Sequence, residues 1–175
     1  ANFPAGALPF GLAPSSGYGG VLTGTGDATP DVISISRVDP DLVIIVDDGA
    51  TTSTITPDLV DISGLTVIGS GDTDTVRITE TADGLPMLSG SLGPALGSHA
   101  NPSLTADTGR MAADVSIHIE GNGGTDSLIL DLSMTTHMVG YYSDTLGGAN
   151  SGNVDVAMAF TLSFEELAPL GLIGG

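Results

Sequence analysis

Apolar residues stand at every second position between Asn153 and Glu165. The apolar set is Val154, Val156, Met158, Phe160, Leu162 and Phe164, and small or polar residues separate its members. Successive side chains of a β-strand point to opposite faces, so this period predicts one long strand with a buried face. A helix does not give this period.

Similar alternation recurs along the chain and predicts about nine strands separated by short turns. Residues 31–46 predict two strands around the turn at 38–41, and residues 73–81 predict a further strand. Residues 113–119 and 128–134 predict a hairpin across the turn cluster 121–126. No repeat of roughly 20–50 residues is evident, which argues against a solenoid. The chain is therefore predicted to be all-β, a single β-sandwich of jelly-roll or Greek-key type.

The two ends of the chain differ from its middle because they are apolar and uncharged. Residues 1–26 predict an extended N-terminal arm, since several Pro and Gly disfavour a helix or a central strand. The sandwich is assigned to residues 27–166, and residues 167–175 to an apolar C-terminal tail. Exposed apolar segments favour contacts with other molecules. We expect contacts with another copy to involve Phe3, Leu8, Phe10 and Leu12 in the arm, and Leu170, Leu172 and Ile173 in the tail.

The composition is strongly acidic. The 175 residues include 21 Asp and Glu against three basic residues, so the formal net charge is −18. This charge repels nucleic acid and anionic lipid, so neither is an expected partner. No uninterrupted apolar stretch suits membrane insertion, and the chain has no Cys for disulfides. A start at Ala1 suits signal-peptide cleavage and Met removal equally. The expected location is extracellular or cell-surface, as for a filament subunit, with the virion surface as the alternative.

Candidate catalytic groups are sparse, and the chain is not expected to be an enzyme. His99, His118 and His137 lack metal-ligand spacing, which favours isolated surface histidines. The neighbouring carboxylates of 47–48 and of 165–166 point to opposite sides of a strand, so neither pair converges on a substrate. No Gly-x-Ser-x-Gly nucleophile motif occurs.

Calcium is the best-supported ligand, because Asp side chains and backbone carbonyls in turns supply the oxygen ligands of a hard cation. Residues 123–128, Gly-Gly-Thr-Asp-Ser-Leu, resemble one copy of the calcium-binding Gly/Asp nonapeptide. Ordinary turn chemistry explains the same residues, since Asp and Gly favour turns. The sequence therefore leaves calcium binding as an open alternative, and no cofactor is expected to be required. The candidate ligands are Asp39, Asp41, Asp72, Asp74 and Asp126.

The last predicted strand resembles the closing strand of chaperone–usher fimbrial subunits in Gly152, Phe160, Phe164 and Glu165. The chain lacks that family's Cys pair and continues beyond the strand. With the apolar ends, these patterns favour a non-enzymatic, self-assembling subunit of an extracellular filament, a homopolymer held by exchange of terminal arms or strands. The alternatives are a virion surface or capsid-decoration protein and a calcium-dependent carbohydrate-binding or adhesive module.

Overall fold

The computed structural model describes residues 11–14, 20–25, 30–59, 62–88, 115–134, 136–143, 150–156 and 160–174, and these residues form thirteen strands in two sheets. The predicted all-β, two-sheet architecture is confirmed. The described part of the chain holds no helix with the length and hydrophobicity to cross a membrane. The strands are β1 (Gly11–Pro14), β2 (Gly20–Thr25), β3 (Val32–Val38), β4 (Asp41–Asp47), β5 (Thr52–Ile55), β6 (Ile62–Ile68), β7 (Thr75–Thr79), β8 (Val115–Glu120), β9 (Asp126–Leu132), β10 (Val139–Ser143), β11 (Gly152–Val156), β12 (Phe160–Glu165) and β13 (Leu167–Gly174).

The middle of each sheet is built from parallel strands. Sheet I has seven strands in the order β1-β2-β6-β8-β12-β11-β10, and sheet II has six in the order β13-β9-β7-β3-β4-β5. β2, β6, β8 and β12 are parallel neighbours in sheet I, and β3, β7, β9 and β13 are parallel neighbours in sheet II. Each strand of the first set is followed along the chain by its counterpart in the second set. The chain therefore crosses from sheet I to sheet II in four stacked tiers: β2–β3, β6–β7, β8–β9 and β12–β13.

Stacked tiers of parallel strands are the arrangement of a solenoid. The described strands of the sandwich share this parallel stacking, and their pairing differs from a jelly-roll or Greek-key order. The segments that connect one tier to the next differ in length and content. The β4–β5 hairpin is inserted after the first tier, and the β10–β11 hairpin is inserted after the third. These unequal insertions hide the period in the sequence.

Residues 153–165 form two strands rather than the one long strand predicted. β11 and β12 pair antiparallel, with Val156 opposite Phe160 and Val154 opposite Leu162. Opposed residues share a face of the sheet, so the apolar residues of β11 and β12 alternate with the same parity and do not reveal that the two strands run in opposite directions. The hairpin predicted for residues 113–134 is also wrong, because β8 belongs to sheet I and β9 to sheet II.

Both ends of the described chain belong to the sandwich. β13 pairs with β9, Leu167 is buried in the core, and Leu170 packs partly against it. Within the predicted C-terminal tail, residues 167–174 therefore form an edge strand of sheet II. Residues 11–14 and 20–25 of the predicted arm form β1 and β2, and β2 opens the first tier.

A cluster of mostly aliphatic side chains fills the space between the sheets. The parallel register places Ile33, Val76 and Leu128 side by side in sheet II, and each is at most 2% exposed. Burial of each such side chain contributes about 1.5–3 kcal/mol. Among the described strands the two sheets do not end together, because sheet I continues through β11 and β10 beyond the last tier, whereas sheet II ends at β13.

Candidate functional site

Three buried Asp residues line up where the chain turns from sheet I into sheet II. Asp31, Asp74 and Asp126 stand at the starts of β3, β7 and β9, and each is at most 2% exposed. We call each point where the chain passes from sheet I to sheet II a corner. Backbone hydrogen bonds join successive corners: the Thr75 N–H donates to the Asp31 carbonyl (2.8 Å), and the Ser127 N–H donates to the Asp74 carbonyl (2.9 Å). We call the three residues Asp31, Asp74 and Asp126 the Asp ladder.

The Asp74 carboxylate is the centre of the Asp ladder. Its Oδ1 accepts a hydrogen bond from the Asp31 N–H (2.9 Å), and its Oδ2 accepts from the Ser70 N–H (2.7 Å) and hydroxyl (3.2 Å). The Asp74 N–H donates to Asp126 Oδ1 (2.7 Å). These carboxylates therefore satisfy buried backbone donors at corners, where the sheet ladders end.

Asp126 differs from Asp74 because one of its two carboxylate oxygens is unsatisfied. Asp126 Oδ2 is buried and has no hydrogen-bond partner among the described residues. Burial raises the pKa of Asp126; the hydrogen bond from the Asp74 N–H opposes this, and the carboxylates of Asp74, Asp72 and Glu166 raise the pKa further. A buried carboxylate oxygen without a donor is stabilised by a proton or by a cation.

Two glycines allow the corners to stack closely. A methyl group on Gly121 would lie 2.5 Å from the Glu166 carbonyl oxygen and 2.6 Å from Asp126 Oδ2. A methyl group on Gly69 would lie 2.5 Å from the Gly121 carbonyl oxygen and 2.9 Å from Asp74 Oδ2. Only Gly fits such a close backbone approach. The equal spacing of Gly69 to Asp74 and of Gly121 to Asp126 is the sequence signal that would have revealed the stack.

The structure brings together three of the five Asp residues considered as calcium ligands. Asp72, Asp74 and Asp126 lie in the stacked corners. Asp39 and Asp41 lie at the opposite end of β3, Asp39 in the turn to β4 and Asp41 as the first residue of β4. No group of three or more His, Asp or Glu side chains within the described ranges is arranged to hold a metal ion.

Two of the three histidines lie in the described ranges, and neither is the isolated surface residue that was predicted. His118 is 5% exposed on the face of sheet I opposite to the core, with its Nδ1 2.7 Å from Ser163 Oγ. Burial lowers the pKa of His118, so its ring is neutral near pH 7 and links β8 to β12. His137 Nε2 lies 2.9 Å from Oε1 of the buried Glu80. His99 lies outside the described residues.

The end of the sandwich beyond the last tier exposes side chains that face the core. Val139 and Tyr141 of β10 are opposite Val156 and Val154, so all four lie on the core-facing side of sheet I. Val154 and Val156 are fully buried, whereas Val139 is 36% and Tyr141 is 50% exposed. The Tyr141 ring stacks on the buried Phe164 ring, with 6.1 Å between the centroids.

β13 shows the same feature on sheet II. Leu172 is in register with Leu130, so it faces the core, yet it is 51% exposed whereas Leu130 is fully buried. The second edge of β13 has no partner among the described strands. We call Val139, Tyr141, Leu172 and the free edge of β13 the open end. The sequence did not indicate Val139 and Tyr141, because their exposure depends on which sheet ends first.

The residues expected to contact another copy divide between the two ends. Leu172 and Ile173 are exposed at the open end, and Leu170 is partly buried. Leu12 lies in β1, at the opposite edge of sheet I from β10. Phe3, Leu8 and Phe10 lie outside the described residues.

Comparisons with known proteins give no match to a protein-family model, a curated protein or a solved structure. The segment that resembles the closing strand of fimbrial subunits contains two paired strands, β11 and β12. Function is therefore argued from the geometry of the open end and of the corners.

Proposed function

We propose that the protein is a non-enzymatic structural subunit that assembles with copies of itself, through the open end, into an extracellular filament. The observation that carries this proposal is the exposure, between 36% and 51%, of Val139, Tyr141 and Leu172, which all face the core. Apolar residues in such positions are ordinarily covered, and a strand edge beside them is a template for pairing with another chain. The open end differs from the opposite end of the sandwich, so a contact between them joins two unlike surfaces. Such head-to-tail contacts build open fibres, unless the rotation from one copy to the next closes a ring.

Charge sets the conditions for assembly. Two copies that each carry a formal charge of −18 repel one another, so association should be weak at low ionic strength. Salt at about 1 M shortens the screening length to roughly 3 Å, which removes this repulsion while leaving apolar contacts intact. Negative-stain microscopy in high salt should therefore show filaments, and closed rings would favour the virion-surface alternative.

The variant Leu172→Asp tests the open end directly. Replacing a core-facing leucine with a carboxylate removes its apolar contribution and places a charge in the contact, so we expect the dissociation constant for assembly to rise at least about 100-fold. Sedimentation velocity in high salt measures this change. Because Leu172 is half-exposed, the variant should unfold near the wild-type temperature.

Met87→Asp is the matched control, because it adds the same charge at a side chain that is 48% exposed and lies outside the strands. We expect Met87→Asp to assemble like the wild type. Equal loss of assembly in both variants would mean that added charge, rather than the open end, is responsible.

Calcium binding is the second candidate function, and the unsatisfied Asp126 Oδ2 is the observation that favours it. A cation beside Asp126 would neutralise a buried carboxylate to which Asp72, Asp74 and Glu166 add like charge. A ligand that binds only the folded state raises the melting temperature as its concentration increases. Calcium should then stabilise the wild type, and this effect should disappear in Asp126→Asn.

Without calcium, Asp126→Asn should be more stable than the wild type at pH 7 by about 1 kcal/mol, because an amide removes the buried charge and keeps an acceptor for the Asp74 N–H. The raised pKa of Asp126 means that the folded wild type binds a proton more tightly than the unfolded chain. The free energy of unfolding of the wild type therefore falls as the pH rises from the ordinary pKa of Asp towards the raised pKa of Asp126 in the folded protein. Chemical denaturation from pH 4 to pH 8 should show the advantage of Asp126→Asn growing with pH, and a constant difference would contradict the assignment.

A further inference from the structure

We infer that the contact between copies at the open end takes up a proton at His137, so assembly strengthens as the pH falls. This inference rests on the proposed function, because it describes how that same contact is regulated. The observation that carries it is a buried carboxylate, Glu80, held against a histidine that lines a cavity in the open end.

The cavity connects His137 to the contact surface. It has a volume of about 80 Å³, and its lining includes Val139 of β10 together with Leu172 and Ile173 of β13. His137 lines the same cavity, two residues before Val139, and its side chain is 18% exposed. A neighbouring copy that covers Val139 and Leu172 would therefore also remove water from His137.

Glu80 holds the connection from β9 to β10 in place. It directly follows β7 and has the parity of the core-facing residues of that strand, and its side chain is 2% exposed. Its Oε2 accepts a hydrogen bond from the Met134 N–H (3.2 Å), and its Oε1 lies 2.9 Å from His137 Nε2. An ionised carboxylate accepts hydrogen bonds in this way with both oxygens.

The proton on His137 sets the net charge of this buried pair. With a neutral imidazole the pair carries the single negative charge of Glu80, whereas with an imidazolium the pair is neutral as a whole. Removing water from an unbalanced charge costs more than removing it from a hydrogen-bonded ion pair. A contact that covers the cavity therefore favours the protonated form of His137. By linkage, proton uptake on assembly makes association stronger at lower pH.

The charged groups of the neighbouring elements are directed away from the cavity. Asp131 of β9 lies on the opposite face of sheet II and contacts Arg77 at 3.2 Å. Asp83 accepts a hydrogen bond (3.2 Å) in the turn between β3 and β4. β13 has no titratable side chain, and β10 contributes the phenol of Tyr141 on its core-facing side. Phenols stay neutral between pH 6 and 8, whereas imidazole is the side chain that ordinarily changes charge there.

Sedimentation velocity of the full chain at pH 6 and at pH 8 tests the inference. Salt at about 1 M screens the surface carboxylates, whose titration also depends on pH, but acts much less on a buried pair. We expect the wild-type dissociation constant for assembly to be at least about 10-fold lower at pH 6, and one proton per contact permits at most about 100-fold over two pH units.

Two variants assign the proton to the pair. His137→Gln keeps a donor for Glu80 but cannot gain a proton, so its dissociation constant should differ by less than about 2-fold between the two pH values. Glu80→Gln keeps an acceptor for the Met134 N–H and removes the charge. It should therefore assemble at pH 8 as tightly as the wild type does at pH 6.

His118→Gln is the matched control, because it makes the same substitution at a histidine that is buried on the outer face of sheet I. We expect His118→Gln to keep the full pH dependence of the wild type. Full pH dependence in His137→Gln, or its equal loss in His118→Gln, would overturn the inference.

The wild type alone separates the inference from the proposed function. Filaments that form equally well at pH 6 and pH 8 would overturn the inference and leave the proposed function standing. A wild type that stays monomeric in high salt at both pH values would overturn the proposed function itself.

Discussion

Replacing Asp74 with Ala is expected to lower the free energy of unfolding by about 3–5 kcal/mol, because the change removes a buried carboxylate that accepts three hydrogen bonds. The N–H groups of Asp31 and Ser70 would be left buried without an acceptor. Urea denaturation measures the loss, and an unchanged m-value would show that the unfolding transition is otherwise the same. A loss of this size is a large share of the stability of an ordinary domain.

Asp48→Ala is the matched control, because Asp48 also accepts bonds from two backbone N–H groups, those of Ala50 (2.8 Å) and Thr51 (2.5 Å). These bonds lower the pKa of Asp48, but the turn is exposed and water can replace the carboxylate. The Asp48 variant should therefore unfold close to the wild type. If the two variants lost equal stability, burial of the Asp ladder would not be the reason for its effect.

Most strands were predictable because a half-buried strand requires alternating side chains. Ile33 and Ile35 in β3, and Val76 and Ile78 in β7, are apolar at every second position and all are at most 2% exposed. The pattern shows which face is buried, but it is the same in a hairpin, a sandwich and a solenoid tier. Strand existence therefore followed from local sequence, whereas strand partners did not.

The corner at residues 121–126 illustrates why partners were not predictable. A Gly- and Asp-rich segment between two alternating strands suits a hairpin turn as well as a change of sheet. Whether the segment forms a hairpin or changes sheet depends on two hydrogen bonds between neighbouring tiers. The Asp74 N–H donates to the Asp126 carboxylate, and the Ser127 N–H donates to the Asp74 carbonyl. Such contacts join residues far apart in sequence and leave no local signal.

The candidate site was predictable only in part. The apolar character of Leu172 and Ile173 indicated a contact surface, and both are exposed. Val139 and Tyr141 have the same alternation as buried strand residues, so no local property distinguishes them. Their exposure follows from the difference in strand number between the sheets, which is a property of the whole topology.

Replacing Gly121 with Ala is expected to lower the free energy of unfolding by about 2–4 kcal/mol, because the added methyl group would lie 2.5 Å from the Glu166 carbonyl oxygen and 2.6 Å from Asp126 Oδ2. Backbone on one side and a buried carboxylate on the other leave little room to relax. The corner must open, which stretches the hydrogen bond from the Gly121 N–H to the Glu165 carbonyl (2.9 Å).

This opening should also weaken assembly, because residues 165–166 lead directly into β13, whose free edge forms the open end. Gly71→Ala is the control, since a methyl group there meets no atom within 4 Å, and its stability should stay within about 0.5 kcal/mol of the wild type. Thermal denaturation and sedimentation of both variants check the pair. A Gly121 variant as stable as the Gly71 variant would mean that the tiers tolerate wider spacing than the close contacts at Gly121 indicate.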